Sequence, residues 1–253
     1  MVNLINENKG FVKSVIEFFP PLRKLVNSLN NEPKRDEFVR LQLSKIRSGS
    51  LLLDAGCGSQ RYRQDCRHLD YRGQDFGEYV HDEKAGFTDG SGGVSGYEYG
   101  NLDYTGDIWH VNEKAGTFDA ILCTEVFEHI PYPIETVKEF TRLLKPGGIL
   151  IFSAPSNCLR HFDPYFFYSG FSDRWYQRIF SENGFQIETL EPVGDYYSWL
   201  AMELGRTAMS NSLFSKCILA PAFLYLASKR RTDQSVNTLC SGYHVVARKT
   251  LEG

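Results

Sequence analysis

Histidine is the side chain that most readily accepts a proton near neutral pH, and two of the six here sit where that is useful. His129 closes Glu125-Val126-Phe127-Glu128-His129. His161 lies inside Pro155-Ser156-Asn157-Cys158-Leu159-Arg160-His161-Phe162-Asp163-Pro164. An imidazole backed by a carboxylate can deprotonate a hydroxyl, turning a poor nucleophile into a competent one. On that logic His161 is the expected base and Asp163 biases its tautomer, the alternative being a structural loop histidine. His129 is expected to shape the pocket through a structural hydrogen bond. His68, His81, His110 and His244 read as solvated or structural. The six cysteines form no Cys-x-x-Cys pair, so neither a zinc site nor a disulfide framework is indicated, and no metal site is expected.

A second constellation is built for binding. Leu51-Leu52-Leu53-Asp54-Ala55-Gly56-Cys57-Gly58-Ser59 is an apolar strand running into a glycine turn. Glycine is needed where backbone must take positive φ or approach a ligand closely. At the carboxyl end of a central strand of an open α/β sheet, such a turn is where ligands bind. Asp75 follows about 20 residues later, the spacing of a carboxylate that accepts both hydroxyls of a ribose. Arg61 stands where a dinucleotide fingerprint wants its third glycine, which weakens a nicotinamide reading.

These residues must be held by a regular frame. Short apolar runs at 51–54, 71–75, 118–123, 149–154, 185–190 and 242–248 read as strands, with a weaker one just before Asp107. The clearest helix runs from Pro133 to Leu144, with proline at its start, a stripe of Ile134, Val137, Phe140 and Leu144, and Gly147-Gly148 after its end. Another is expected over about 36–46. The alternation predicts a Rossmann-like, doubly wound α/β sheet. A helical cap (residues 1–47, with an apolar stripe of Phe11, Val12, Val15, Ile16 and Phe19) precedes the main domain at 48–253, and a helical insertion at 191–241 precedes the last strand. The glycine-rich stretch 77–105 is expected to be a lid.

Here the motifs acquire a family likeness. D-A-G-C-G, Q-D-F, G-D-I, F-D-A-I-L-C-T-E-V-F-E-H-I and L-K-P-G-G, in that order, resemble class I S-adenosylmethionine-dependent methyltransferases over about 50–205. G-Y-H-V-V-A-R-K at 242–249 is similar to the final antiparallel strand of that seven-stranded fold. The resemblance implies that Gly56 and Gly58 lie under the methionine part of S-adenosylmethionine and that Asp54 shapes the turn. It implies that Asp75 holds the ribose, that Asp107 accepts from the adenine amino group while Ile108 packs on the ring, and that Thr124 ends its strand beside the sulfonium. The stretch with its aromatic band (Phe162 to Tyr176) also resembles bacterial methyltransferases of polysaccharide or secondary-metabolite pathways, implying O-methylation of a small molecule or saccharide. N- or C-methylation of a metabolite, and an inactive methyltransferase-like binding module, are the alternatives.

Composition bounds the partners. With 28 Lys+Arg against 31 Asp+Glu the net charge is -3, which gives no electrostatic reason to expect nucleic acid. Lys13 and Glu17 interrupt the first apolar stretch, so no secretory signal is expected and the chain reads as cytoplasmic. Residues 211–231 are strongly apolar and end in Lys229-Arg230-Arg231. They are expected to pack on the core or on a second copy in a homo-oligomer, the alternative being weak contact with a membrane surface.

Overall fold

The computed structural model describes residues 25, 28–79, 99–209 and 212–251. The apolar stripe at Phe11–Phe19 and most of the expected lid, 80–98, lie outside the described residues. The chain divides into two compact units, Arg35–Glu191 with Gly242–Gly253, and Pro192–Ser241 with the residues up to Lys34.

The larger unit is organised by α1 (Glu32–Ser44), β1 (Leu51–Ala55), β2 (Asp70–Asp75), β3 (Tyr104–Thr105), β4 (Phe118–Thr124), α2 (Pro133–Leu143), β5 (Leu144–Pro155), α3 (Asp173–Glu182), β6 (Phe185–Val193) and, after the insertion, β7 (Gly242–Lys249). The seven strands lie in the order β3-β2-β1-β4-β5-β7-β6. β1 pairs in parallel with β2 and β4, and β7 runs antiparallel to β5. Alternate residues of the central strands feed opposite faces: Leu52, Ala120 and Leu122 meet α1 through Phe38, Val39 and Leu43, whereas Leu53, Ile121 and Cys123 meet Val137, Phe140 and Phe180. A strand buried on both faces favours apolar side chains at successive positions, hence the unbroken Leu51-Leu52-Leu53, and the buried Asp54 that follows needs a partner, Tyr71 Oη. Fully burying a residue such as Phe140 contributes roughly 1.5–3 kcal/mol.

Three local expectations are corrected. The α2 stripe turns inward through Val137, Phe140 and Leu143, whereas Ile134 is left exposed. Gly147 and Gly148 belong to β5 rather than to a loop, since the strand begins at Leu144 and its register against β4 shifts between Phe118 and Ala120. The first described helix begins at Glu32, ahead of the expected 36. Arg61 explains its own presence: its guanidinium donates to Asp36 Oδ2 at 2.6 Å while Tyr62 Oη donates to Asp36 Oδ1 at 2.9 Å, binding α1 to the segment after β1.

The smaller unit holds α4 (Tyr196–Met209), α5 (Leu213–Ala227) and α6 (Asp233–Thr238), all between the end of β6 at Val193 and the start of β7 at Gly242. α4 and α5 pack together, with Gly205 of α4 facing Phe223 of α5: a Cβ on Gly205 would sit 3.6 Å from that ring. Thr232 caps α6 through a reciprocal bond pair with Ser235.

Candidate active site

One cleft of about 290 Å³ gathers residues from the carboxyl ends of five successive strands. Gly56 comes from the turn after β1, Gln74, Asp75 and Phe76 from the end of β2, Asp107, Ile108 and Trp109 from beyond β3, Glu125, Val126 and His129 from beyond β4, and Phe162, Tyr165 and Phe167 from beyond β5. The sheet order reverses between β1 and β4, the topological switch point where open α/β sheets bind ligands.

The glycine turn works through Asp75. Gly58 N–H donates to Asp75 Oδ2 at 2.9 Å and Phe76 N–H to Oδ1 at 2.8 Å, so the carboxylate is clamped before any ligand arrives. Burial pushes its pKa up, against the pull of the backbone donors at Gly58, Phe76 and Gly77. A carboxylate has about four acceptor sites, so those bonds leave capacity on a side chain that lines the cleft. Gly56 has φ +71°, and a Cβ there would lie 2.5 Å from Val126. Backbone conformation and the close approach of β4's continuation both exclude a side chain. Gly58 is buried and serves Asp75 rather than lining the cleft. Asp54 is also buried beneath the turn, where it accepts from Tyr71 Oη at 2.7 Å, and burial pushes its pKa up to about 7. Thr124 is half-buried and outside the lining set, whereas Asp107 and Ile108 are in it.

The segment Glu125–His129 carries the most chemistry. Glu125 adopts φ +53°, a left-handed conformation that costs a non-glycine residue on the order of 1 kcal/mol. It is held there by its N–H donating to the Ser153 carbonyl (2.9 Å) and by Ser153 Oγ donating to Glu125 Oε1 (2.7 Å). Phe162, on the opposite lip, has φ +55°. Two strained residues lining one cleft mark it as functional rather than incidental.

His129 donates Nδ1–H to the Tyr165 carbonyl at 2.7 Å; a carbonyl can only accept, so the proton is on Nδ1 and Nε2 keeps its lone pair. Burial, with His161 adding to it, pushes the His129 pKa down to about 4, so the ring is neutral at physiological pH. Glu128 is buried, and its carboxyl pKa is raised well above the usual range, first by burial and then by Glu125. The 3.7 Å approach of Glu128 Oε1 to His129 Nε2 is therefore a contact between uncharged groups, not an ion pair.

His161 packs edge-on to His129, ring centroids 4.7 Å apart, and its Nδ1 donates to the Leu159 carbonyl at 2.8 Å. Asp163 does not orient it. Both Asp163 oxygens accept from Arg160 Nε, at 2.8 and 2.7 Å, so the expected His161–Asp163 pair is replaced by an ion pair beside it. What the structure brings together instead is Glu128, His129 and His161, with one ligand atom of each within 4.8 Å of the others. Two imidazole nitrogens and a carboxylate are the donor types that hold a divalent cation, a grouping the expectation of no metal site did not anticipate. The separation of 32 positions between His129 and His161 leaves no spacing signal.

The aromatic band divides. Phe171, Trp175 and Tyr176 pack in or against the core, while Phe162, Tyr165 and Phe167 face the cleft, fixed by the Phe167 and Tyr168 N–H groups donating to the Glu128 carbonyl. Tyr79 and Tyr99, the described flanks of the glycine-rich stretch, line the same cleft, and Tyr79 N–H donates to Tyr99 Oη at 3.1 Å. Two further lining residues had no expected role: Glu125, met in the sequence only as the start of the His129 segment, and Trp109. The loop that carries His161 is pinned at Gly170, where φ is +148° and a Cβ would meet the Ser156 carbonyl carbon and oxygen at 2.3 Å. Gly170→Ala is expected to cost about 1–3 kcal/mol, read by chemical denaturation; a variant as stable as the parent would show that the loop yields freely.

Comparison with known proteins agrees with this geometry. The family described as "Methyltransferase domain" matches residues 30–191, well over half of the chain. The chain belongs to that family. Among curated relatives, a ubiquinone biosynthesis O-methyltransferase of Nitrosococcus oceani is 31% identical over 48% of this chain and 49% of its own length. One from Shewanella pealeana is 28% identical over 59% of this chain and 62% of its own. The Vibrio parahaemolyticus enzyme is 43% identical over only 17% of this chain and 19% of its own. The chain thus spans less than two thirds of the curated relatives it matches. The fold is that of a solved sarcosine dimethylglycine methyltransferase from Galdieria sulphuraria (TM-score 0.54, 12% identity, 87% of this chain and 86% of that one). It is also that of a Bacillus halodurans methyltransferase (TM-score 0.51, 18% identity, 83% and 97%).

Proposed function

We propose that this methyltransferase moves the methyl group of S-adenosylmethionine to a hydroxyl oxygen of a small molecule or saccharide, in the cytoplasm. One observation carries the reading: a clamped carboxylate, Asp75, and an imidazole that keeps its Nε2 lone pair, His129, line one cleft at the switch point of a methyltransferase sheet. The residues present fit the donor. Asp75 would hold the ribose hydroxyls, Asp107 the adenine amino group with Ile108 against the ring, and the Gly56–Gly58 turn, shaped from below by Asp54, the amino-acid end. Thr124 ends β4 on the same side. The donor supplies an electrophilic methyl carbon, so the protein's task is alignment, exclusion of water and disposal of a proton.

The aromatic wall of Phe162, Tyr165 and Phe167 suits an acceptor with a flat or apolar face. His129 Nε2, neutral and fixed in direction, accepts a hydrogen bond from a second, neighbouring hydroxyl of the acceptor. His161, at the exposed side of the pair, takes the proton of the methylated hydroxyl directly as the base while the oxygen bonds the methyl carbon and the carbon–sulfur bond of the donor breaks, and Asp163 fixes the loop through Arg160. The three curated relatives named above are O-methyltransferases, which supports oxygen over nitrogen or carbon as the methylated atom.

Calorimetry with S-adenosylhomocysteine tests the donor assignment. Binding in the micromolar range is expected, about -8 kcal/mol, with none for NAD. Asp75→Ala is expected to weaken it by about 1.5–3 kcal/mol, the worth of charge-assisted hydrogen bonds, with Asp75→Asn in between. Unchanged affinity in both variants would remove Asp75 from the ribose site.

A further inference from the structure

We propose that α5 and the basic cluster behind it form a docking surface for an anionic lipid bilayer. α5 has two unlike faces. Phe214, Cys217, Ile218, Pro221, Leu224 and Tyr225 recur at helical spacing and are all exposed, Phe214 by 74%, Ile218 by 58% and Tyr225 by 61%. The opposite side, with Leu219, Phe223 and Leu226 half-buried, turns toward α4, where Gly205 lets Phe223 come close. An apolar row this continuous, left open to water along a whole helix, marks an interaction surface.

The chemistry of the row names its partner. From Phe214 to Leu224 it carries no charge. Tyr225 follows, an amphipathic ring of the kind that settles at a membrane–water boundary. Lys229 then places its ammonium 4.2 Å over the Tyr225 ring, and Arg230 and Arg231 come next, both exposed. Apolar, interfacial and cationic groups thus succeed one another along the helix, in the order met on moving from acyl chains to anionic headgroups. A protein partner would require polar groups to fix its register, and the row offers only the Tyr225 hydroxyl and the Cys217 thiol. Self-pairing is also short of area. Fifteen residues make a helix of about 22 Å, and one stripe of that length buries well under the roughly 800 Å² per partner of a standard interface. No helix among the described residues is long and apolar enough to cross a membrane, so α5 would dip into one leaflet at a tilt, its Phe214 end deepest and its Lys229 end at the headgroups, rather than span the bilayer.

Vesicle flotation of the full chain tests this, using phosphatidylcholine vesicles with and without phosphatidylglycerol. Binding to the anionic vesicles is expected at low salt, weakening as salt rises. Phe214→Glu with Ile218→Glu is expected to lower the partition at least tenfold, and Lys229→Glu with Arg230→Glu to abolish the preference for anionic lipid, each charge contributing about fivefold. These positions are exposed, and thermal melts establish that the variants fold. If the Glu pair does not fold, Phe214→Ser with Ile218→Ser takes its place. Absence of binding to anionic vesicles at low salt, or binding that survives loss of the apolar pair, overturns the proposal. So does a concentration-dependent dimer, seen by sedimentation, that Phe214→Glu dissociates, because the row is then filled by a second copy.

Discussion

Asp54→Asn is expected to stabilise the fold at about pH 8 and to leave it almost unchanged at about pH 4. Asp54 lies buried beneath the glycine turn with Tyr71 Oη on Oδ2, and burial raises its pKa to about 7, against an unfolded value near 3.9. The sign follows from proton counts. Below about pH 4 the group is protonated in both states and folding is indifferent to it. Between about pH 4 and 7 the unfolded chain releases the proton while the fold retains it, so stability falls as pH rises, and above about 7 the loss levels off. Three units of difference correspond to about 4 kcal/mol. Asparagine is neutral at every pH and can still accept from Tyr71, so a gain of about 2–4 kcal/mol at the alkaline end is expected, the unsatisfied amide N–H consuming part of the total. Denaturant titrations at both pH values read this directly. Parallel stability-against-pH curves for the two proteins would show that Asp54 is not the group responsible.

The place of Asp54 before the glycine turn was legible in the sequence; that burial lifts its pKa to about 7 was not. Position in a motif is local, whereas a pKa depends on what the rest of the fold stacks around the group. The same division runs through the molecule. Leu51-Leu52-Leu53 could be read as a strand because burial on both faces favours an unbroken apolar run, and even the two-residue β3 was placed before Asp107. Gly147-Gly148 misled because glycine usually ends an element, while here it lies in a strand whose register shifts. Gly56, Asp75, Asp107 and Ile108 line one cleft because the chain leaves β1, β2 and β3 at the same edge of the sheet. Gly58 and Thr124 share that edge but not the cleft lining, a difference set by which way the chain turns after the strand ends. Proximity in sequence suggested His161 and Asp163 as a pair, yet the Arg160 guanidinium takes both Asp163 oxygens. The Glu128–His129–His161 grouping had no spacing to betray it, since it depends on how the loop after β5 folds back over the turn after β4.

His161→Ala is expected to lower kcat by about 10²–10⁴, the usual worth of a general base, with the affinity for S-adenosylhomocysteine unchanged because His161 is outside the cleft lining. His129 behaves differently. Burial holds its pKa near 4, so storing a proton on it is costly, and its part is to receive and direct a hydrogen bond. His129→Ala should therefore raise KM as well as lower kcat, while His129→Gln, whose side-chain carbonyl replaces the Nε2 lone pair, should recover part of the activity and keep the pH profile of the parent. No glutamine can replace a base, so His161→Gln should be as slow as His161→Ala. These assays need an acceptor, to be found by screening phenols, catechols and saccharides with the parent enzyme. Near-normal turnover in His161→Ala, together with a His129→Gln as slow as His129→Ala, would exchange the two roles. Retention of full activity by both alanine variants would instead mean that the methylated atom needs no base, as expected of a nitrogen acceptor whose lone pair is already free.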